Sequence, residues 1–426
     1  MSSLGPGRAR QESIFAQGVL GRAPRVPTDV TALETAARRR MSRRAWAYVA
    51  GGAGSGATMR ANRAALDRWQ IVPRMLRDVA ERDLSTTVLG TPLPAPLLIA
   101  PIGAAGLVRP DADVLVGAAS ADTGVPYILS SQGSSPMEET AAAMGTSPRW
   151  YQLYWSRDEQ LVDSFIARAE AIGAGALVVT LDTTLLGWRP QDLNLGSLPF
   201  SQGIGIAQYT SDPRFGELVR ERLAAGGARP DVKVTPAAVR TLLSISRHHP
   251  GGLRDNLRSP VPRAAVETFL DVYSNPALSW DHLATLRERT RLPVVLKGVL
   301  HPDDARRAVD LGVDGLIVSN HGGRQVDGAV GSADALVAVR AAVGDDVTVL
   351  LDSGIRTGTD VYKALALGAD AVTLGRPHLY GLALAGRAGV ADVVRNVVAE
   401  LDLTMGLTGV RSLDEIDASR VQPAPR

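Results

Sequence analysis

The stretch TVLLDSGIRTGTDVYKALALGADAVTLGR, residues 348–376, decides the fold. It contains two short apolar runs, Thr348 to Leu351 and Ala371 to Leu374, and between them the segment Thr359 to Leu367 has apolar residues at helical spacing. A continuous apolar run is typical of a strand that is buried on both faces, and an intervening helix allows the two strands to run parallel. The stretch is therefore interpreted as one strand–helix–strand unit.

The same alternation of a short apolar run with a helical pattern recurs through the preceding part of the chain. Six further short apolar runs are present: Leu97 to Ala100, Tyr127 to Leu129, Trp150 to Tyr154, Ala176 to Leu181, Val294 to Leu296 and Gly315 to Val318. Helical patterns lie between runs, for example at Asp111 to Thr123, Asp158 to Ile172 and Pro302 to Leu311. Eight such units close most naturally into a barrel. The sequence therefore predicts an α/β fold, a (β/α)8 TIM barrel over residues 91–400.

Three segments flank or interrupt the predicted barrel. Residues 1–90 are expected to form an N-terminal helical extension packed on it, with one helix from Thr28 to Ala50. The connection between strands 4 and 5 is several times longer than the others, and we predict that its middle, about residues 194–262, is an active-site lid. Residues 401–426 are expected to be a C-terminal tail.

Composition excludes several classes of function. The 426 residues are 45% hydrophobic and 21% charged, as in a globular chain with a substantial core, and the net charge of +2 is too small for a general nucleic-acid binder. There is no cysteine, which excludes disulfides, iron–sulfur clusters and thiolate-bound zinc, and no His pair has metal-ligand spacing. Without a signal peptide or an apolar membrane span, we expect a cytoplasmic protein that needs a bound cofactor for any redox chemistry.

Active sites of TIM barrels lie at the C-terminal ends of the strands, and every predicted strand here ends in a polar or small residue. In chain order these are Pro101 and Gly103; Ser130; Gln152 and Tyr154; Thr180 and Asp182; Lys297; Ser319, His321 and Arg324; Asp352, Gly354 and Arg356; Gly375 and Arg376. A single Ser or Thr after a strand is more often a cap than a functional group. Because all eight strand ends carry such residues, we predict that together they form one functional site.

The last two strand ends are typical of a phosphate site. Asp352 to Arg356 and Gly375-Arg376 combine small residues, which allow close backbone approach, with two guanidinium groups. Barrels often bind phosphate after strands 7 and 8. The alternative is that the glycines only make turns and that the arginines pair with carboxylates.

Lys297 and the string Ser319 to Gln325 supply the reactive groups. Lys297 ends an almost wholly apolar strand, so it needs an anion or a reacting carbonyl, either as a Schiff-base lysine or as a fixed charge against an electron-rich cofactor. The string places His321 and Arg324 on one loop, where a base and a carboxylate clamp converge on a small acid. Arg189 is the second candidate for a carboxylate anchor.

With these residues the chain resembles the FMN-dependent α-hydroxy-acid oxidases and dehydrogenases. The resemblance runs from about Tyr48 to Leu384, and Ser319 to Gln325 is close to the active-site signature of that family. Within the family, Ala100 to Gly103, Tyr154 to Ser156, Leu185 to Pro190 and the long insert are most similar to lactate 2-monooxygenase.

The resemblance implies FMN as the cofactor, a small 2-hydroxy acid and O2 as reactants, and a homotetramer or homo-octamer. It makes His321 the base, Asp182 the group that stabilises its imidazolium, and Lys297 the positive charge beside the flavin N1 and C2 carbonyl. The substrate would contact Tyr48, Tyr154, Arg189 and Arg324, and Tyr154 is also counted among the catalytic residues. The flavin and its phosphate would contact Pro101, Gly103, Ser130, Gln152, Thr180, Lys297, Ser319, Asp352, Gly354, Arg356, Gly375 and Arg376.

Oxidation of L-lactate with O2 to acetate, CO2 and water is the leading expectation. The alternative within the family is an oxidase or dehydrogenase that releases the 2-oxo acid, with H2O2 or another reduced acceptor. Two further hypotheses are a Lys297 Schiff-base lyase and a partner-binding barrel without catalysis. Gln132 stands where glycolate oxidase has an aromatic residue, and Gly103, where many relatives have Ala, is expected to give oxygen access to the flavin.

Overall fold

The structure is a computed structural model that describes residues 5–226 and 235–425. Within these ranges, eight parallel strands close into a barrel, in which each strand pairs with the next and the last pairs with the first. In chain order they are β1 Leu97–Ile99, β2 Tyr127–Ser130, β3 Arg149–Leu153, β4 Leu177–Thr180, β5 Val294–Val299, β6 Gly315–Val318, β7 Thr348–Leu351 and β8 Ala371–Leu374. The predicted TIM barrel is confirmed.

The barrel has an inner and an outer core, as strands buried on both faces require. Leu98, Ile128, Val178, Ile317 and Leu350 are fully buried inside the barrel. The opposite faces of the strands pack under the surrounding helices, which are Ala112–Thr123, Met137–Met144, Glu159–Ala171, Pro302–Asp310, Ser332–Val343, Gly358–Ala366 and Arg376–Leu407. This double burial explains why the strands are continuous apolar runs with polar residues only at their ends.

The N-terminal extension consists of the helices Pro6–Val19, Val30–Arg40, Arg43–Ala50 and Ala57–Asp67. The prediction of one helix from Thr28 to Ala50 is wrong, because Ser42 adopts an extended conformation and its Oγ accepts the Ala45 N–H at 3.1 Å, which starts a new helix. This second start turns the helix Arg43–Ala50 so that Tyr48 is buried at the mouth of the barrel.

The insert between β4 and β5 is largely helical. Its helices are Pro190–Leu193, Ala207–Thr210, Pro213–Ala224, Pro236–His248, Leu253–Arg258, Val261–Val272, Trp280–Ala284 and Leu286–Arg289. Residues 227–234 of the predicted lid lie outside the described ranges. An aromatic cluster holds the insert together: the Tyr209 ring lies 4.7 Å from Phe269, and Phe269 stacks on Tyr273 at 4.9 Å. The same cluster joins the insert to the barrel, because the Tyr209 ring also lies 4.9 Å from Phe165 of the helix Glu159–Ala171.

The C-terminal segment is also integrated into the fold. The predicted boundary at residue 400 falls inside the helix Arg376–Leu407, and the strand Val421–Pro423 pairs antiparallel with Trp69–Ile71. A second short hairpin joins Thr86–Val88 to Thr91–Leu93. Among the residues described, none of the helices combines the length and the apolar character needed to cross a membrane.

Candidate active site

A cavity of about 950 Å³, including the space at its open mouth, lies at the C-terminal ends of the barrel strands. The barrel, the N-terminal extension and the insert all contribute to its wall. Of the predicted site residues, it is lined by Tyr48, Pro101, Gly103, Tyr154, Arg189, Lys297, His321, Arg324, Asp352, Gly354, Arg356, Gly375 and Arg376. The structure therefore brings most of the predicted site together.

His321 and Asp182 form a hydrogen-bonded pair across two strand ends. His321 Nδ1 lies 2.8 Å from Asp182 Oδ1. Burial lowers the pKa of His321, although the Asp182 carboxylate acts in the opposite direction. Burial would raise the pKa of Asp182, but His321 and Lys297 outweigh it and lower that pKa. The imidazole is therefore neutral near pH 7, with Nδ1 committed to a carboxylate and Nε2 left to accept a proton.

Lys297 has a protein anion as its partner. Its Nζ lies 2.9 Å from Ser319 Oγ and 3.2 Å from Asp352 Oδ2. Burial opposes ionisation of Asp352, yet Lys297 and three hydroxyl groups lower its pKa well below the usual range. The anion that the sequence leads us to expect beside Lys297 is therefore the carboxylate of Asp352, a residue of the chain itself. A lysine that already pairs with a buried carboxylate fits the fixed-charge alternative better than the Schiff-base alternative.

Four arginines of the cavity have no carboxylate partner among the described residues: Arg189, Arg324, Arg356 and Arg376. Arg376 donates instead to three backbone carbonyls, and Arg324 to those of Tyr48 and Gly51. Burial, followed by neighbouring arginines, lowers the pKa of Arg324 to about 9 and that of Arg376 to about 10. The cavity therefore holds excess positive charge, which bound anions would relieve.

The residues at the β7 and β8 ends fit the phosphate of FMN. The helix Arg376–Leu407 begins at the cavity with Gly375 as its N-cap, without a capping side chain. Pro377 has no N–H and the His378 N–H donates to the Gly375 carbonyl at 3.1 Å, so among the first three helical residues the Arg376 N–H is left for an anion. A Cβ at Gly375 would meet no atom within 4 Å, which leaves the backbone open to close approach. Arg356 and Arg376 add two guanidinium groups. The alternative that these arginines pair with carboxylates finds no support in the described residues.

Four predicted flavin contacts do not line the cavity: Ser130, Gln152, Thr180 and Ser319. They are buried at the strand ends and bond to one another or to neighbours. Ser130 Oγ donates to Gln152 Oε1 at 2.9 Å, and Gln152 Nε2 donates to Thr180 Oγ1 at 2.9 Å. Contact of these residues with the flavin stays a prediction, while their hydrogen bonds tie β2, β3 and β4 together below the site.

Gln325 joins two loops of the site, although the sequence suggested no role for it. Its Nε2 donates to the carbonyls of Asp182 at 2.6 Å and Leu185 at 2.9 Å, and its Oε1 accepts from Arg189 Nη2 at 2.8 Å. It therefore holds the loop after β4 against the loop after β6. Two of these partners are backbone carbonyls more than 100 residues away in sequence, so no local motif marks the link.

The expected role of Gly103 in oxygen access is not supported. A Cβ at this position would lie 2.7 Å from Gln132 Cβ, so the space that the missing methyl leaves is taken by Gln132. Gly103 still lines the cavity, and its contact with the flavin stays a prediction. Phe200 and Tyr273 of the insert are lining residues that the sequence analysis did not identify.

Comparisons with known proteins agree with this site. The family model described as FMN-dependent dehydrogenase matches residues 37–423. An FMN-dependent alpha-hydroxy acid dehydrogenase of Penicillium citrinum is 41% identical, covering 95% of this chain and 92% of its own, and an L-lactate oxidase of Lysinibacillus sphaericus is 37% identical, covering 94% of each.

Among solved structures, a mandelate oxidase with (S)-2-phenylpropionate matches with a TM-score of 0.74 and 34% identity, over 94% of this chain and 99% of its own. The family match extends over most of the chain and includes every residue of the cavity named above. The match agrees with a cavity that holds a buried histidine paired with a carboxylate and arginines without carboxylate partners. The chain therefore belongs to the FMN-dependent α-hydroxy-acid oxidases and dehydrogenases, and FMN is its cofactor.

Proposed function

We propose that this chain oxidises short L-2-hydroxy acids with O2, and that it converts L-lactate to acetate, CO2 and water. One observation carries the proposal: His321, bonded to Asp182 behind it, lines the same cavity as Arg189 and Arg324, neither of which has a carboxylate partner among the described residues. A base and two anion-binding groups in one cavity suit a substrate that has both a carboxylate and an acidic proton nearby.

Different side chains bind the substrate and accept its proton. Arg189 and Arg324 hold the substrate carboxylate. Burial raises the pKa of Tyr48 and Tyr154, which keeps both hydroxyl groups protonated and able to donate hydrogen bonds to the substrate. His321 Nε2 takes a proton from the substrate, and the Asp182 carboxylate stabilises the imidazolium that results.

FMN, when bound, supplies the acceptor for the two electrons that leave the substrate carbon. Arg356, Arg376 and the N-terminus of the helix Arg376–Leu407 would hold its phosphate. Lys297, fixed by Asp352, would place a positive charge against the electron-rich ring system. These residues hold and polarise the cofactor, while proton transfer belongs to His321.

The fate of the product depends on whether pyruvate leaves before oxygen reacts. Phe200 and Tyr273, both from the insert, form part of the cavity wall, and such a cover favours retention of a small product. Hydrogen peroxide formed from O2 beside retained pyruvate then cleaves it to acetate, CO2 and water. The overall reaction, lactate and O2 to acetate, CO2 and water, balances without another reductant.

The test is product analysis with and without catalase. We expect one acetate for each O2 consumed from L-lactate, and no effect of catalase, because peroxide that reacts inside the cavity does not meet catalase in solution. Stoichiometric pyruvate in the presence of catalase, with peroxide in its absence, would assign the chain to the plain oxidases. Turnover that needs an artificial electron acceptor would assign it to the dehydrogenases.

We also propose that the barrels assemble as a homotetramer or homo-octamer. Exposed apolar side chains away from the cavity, including Phe15, Leu20 and Leu76, support association of the outer surface. Light scattering coupled to gel filtration measures the mass directly. A monomer at micromolar concentration would contradict this proposal.

A further inference from the structure

His321, which follows β6, begins a turn with a backbone conformation that is unfavourable for a histidine. Its φ is 58°, and the next two residues, Gly322 and Gly323, have φ of 65° and 73°. The left-handed region is open to glycine, but it crowds the Cβ of a histidine, so surrounding contacts must hold this conformation. The direction of the His321 imidazole therefore depends on the contacts that fix the turn His321–Gly323.

Asn320 closes this turn with its side chain. Its Oδ1 accepts the Gly323 N–H at 3.1 Å, which fixes the end of the amide that carries the oxygen. Its Nδ2 donates to the Val330 carbonyl at 3.1 Å. Asn320 is 5% exposed and is not among the residues that line the cavity. It therefore acts on the site through the turn.

Asn62, on the helix Ala57–Asp67 of the N-terminal extension, forms a reciprocal amide pair with Asn320. Asn62 Nδ2 donates to Asn320 Oδ1 at 2.8 Å, and Asn320 Nδ2 donates back to Asn62 Oδ1 at 2.5 Å. Asn62 Oδ1 also accepts the Ser332 N–H at 3.0 Å, which fixes the orientation of this amide as well. Asn62 is 2% exposed, so the loss of either partner leaves a buried donor and a buried acceptor unsatisfied.

The N-terminal extension contacts the turn and the chain beyond it at three further points. The Ala53 N–H donates to the Gly323 carbonyl at 2.8 Å. A Cβ at Gly323 would lie 2.7 Å from the backbone nitrogen of Met59, so the helix packs directly on the turn. Asp327 accepts the Ala57 N–H at 2.6 Å and caps a helix whose own N-cap residue offers no capping side chain. The helix Ala57–Asp67 and the turn therefore form one packed unit.

We infer that Asn62 is a positioning residue for the base: through Asn320 it holds the turn His321–Gly323, and with it the imidazole, in the orientation that accepts the substrate's proton. The inference rests on the proposed role of His321 in the oxidation of an L-2-hydroxy acid. It gives the N-terminal extension a part in proton transfer, although Asn62 does not line the cavity.

Stopped-flow measurement of flavin reduction by L-lactate, without oxygen and on the FMN-loaded protein, tests the inference. Asn62→Leu keeps a similar volume and removes every hydrogen bond of the Asn62 amide. We expect the limiting rate to fall by about tenfold or more, which is part of the roughly 10²- to 10⁴-fold that a general base contributes. The L-lactate concentration that gives half the limiting rate should change less, because Arg189 and Arg324 keep hydrogen bonds that do not involve the amide pair.

Two results of this measurement would overturn the inference. The first is a wild-type limiting rate in a folded Asn62→Leu. The second is a rise in the half-saturating concentration as large as the fall in the limiting rate, which would indicate a generally loosened site. Asn62→Ala serves if Asn62→Leu does not fold, and the same results are expected of it.

A double-variant cycle separates positioning from a general loss of stability. If Asn62 acts through Asn320, then Asn320→Ala and the double variant should have similar limiting rates, since the second change finds its partner already gone. Effects that multiply in the double variant would overturn the inference. Arg68→Met is the matched control, because Arg68 is exposed at the end of the same helix and pairs with Asp334 instead of the turn. A slow Arg68→Met would also overturn the inference.

Hydrogen exchange separates this inference from the proposed function. Exchange of the backbone amides in a peptide covering residues 319–325, followed by mass spectrometry, needs no turnover. We expect faster exchange in Asn62→Leu and wild-type exchange in Arg68→Met. If this holds while no L-2-hydroxy acid is oxidised, the proposed function fails and the hold of Asn62 on the turn stands. If the wild type oxidises L-lactate and Asn62→Leu reduces its flavin equally fast, the positioning role fails.

Discussion

At the scale of single residues, we propose His321 as the base because its Nδ1 is bonded to Asp182 and its pKa is lowered by burial. His321→Ala should lower the rate at which L-lactate bleaches the flavin absorbance by roughly 10²- to 10⁴-fold, while FMN stays bound. Stopped-flow measurement without oxygen checks this. His248→Ala, at an exposed histidine of the insert, is the matched control and should bleach at the wild-type rate. Near-normal bleaching in His321→Ala would exclude it as the base.

The charge of Asp182 sets the pH dependence of the base. His321 must be neutral to act, so kcat/KM should fall as the pH drops through its pKa, which lies below the ordinary 6.5. Because the Asp182 carboxylate raises that pKa, Asp182→Asn should move the acid limb of the profile to lower pH and also reduce the maximum. The measurement is kcat/KM between about pH 4 and pH 8. An acid limb that shifts upward would contradict the pairing.

At the scale of elements, Gln325 joins the loop after β4 to the loop after β6 and positions Arg189. Gln325→Leu removes all of its hydrogen bonds and should raise KM for L-lactate more than it lowers kcat, by about tenfold or more, because a charge-assisted contact to the carboxylate loses its orientation. Gln325→Glu keeps the acceptor for Arg189 and should recover much of that KM. A fall in kcat alone, equal in both variants, would indicate a merely structural role.

The same elements show what a sequence can predict. The strands were predictable because burial on both faces leaves apolar runs, and the polar residues at their ends fall where the barrel places its active site. The break at Ser42 was missed, since the apolar spacing continues through it and only the cap geometry ends the helix. The partner of Lys297 was missed for another reason: Asp352 lies 55 positions away, and only closure of the barrel brings it to 3.2 Å.

At the scale of the whole molecule, the unpaired arginines predict that the cofactor stabilises the fold. Ligand at about 100 times its Kd adds roughly 2.7 kcal/mol to the free energy of unfolding, so FMN should raise the Tm of the cofactor-free protein by several degrees. Riboflavin, which lacks the phosphate, should raise it less. Arg376→Met should shrink the FMN shift toward the riboflavin shift, as scanning calorimetry would show.

The control for this prediction lies on the same helix. Arg387 is exposed, pairs with Asp122 and does not line the cavity, so Arg387→Met should keep the full difference between FMN and riboflavin. An equal shift with the two ligands in the wild type would show that Arg356 and Arg376 do not hold the phosphate.

One spectroscopic titration tests FMN-linked oxidation of an L-2-hydroxy acid by this protein most directly. The purified protein is loaded with FMN, freed of excess cofactor and oxygen, and titrated with L-lactate, with D-lactate as the control. We predict a yellow protein whose visible absorbance is bleached by L-lactate, not by D-lactate, and returns when O2 is admitted. A protein that retains no FMN, or whose bound flavin stays oxidised with every L-2-hydroxy acid tried, would contradict the account.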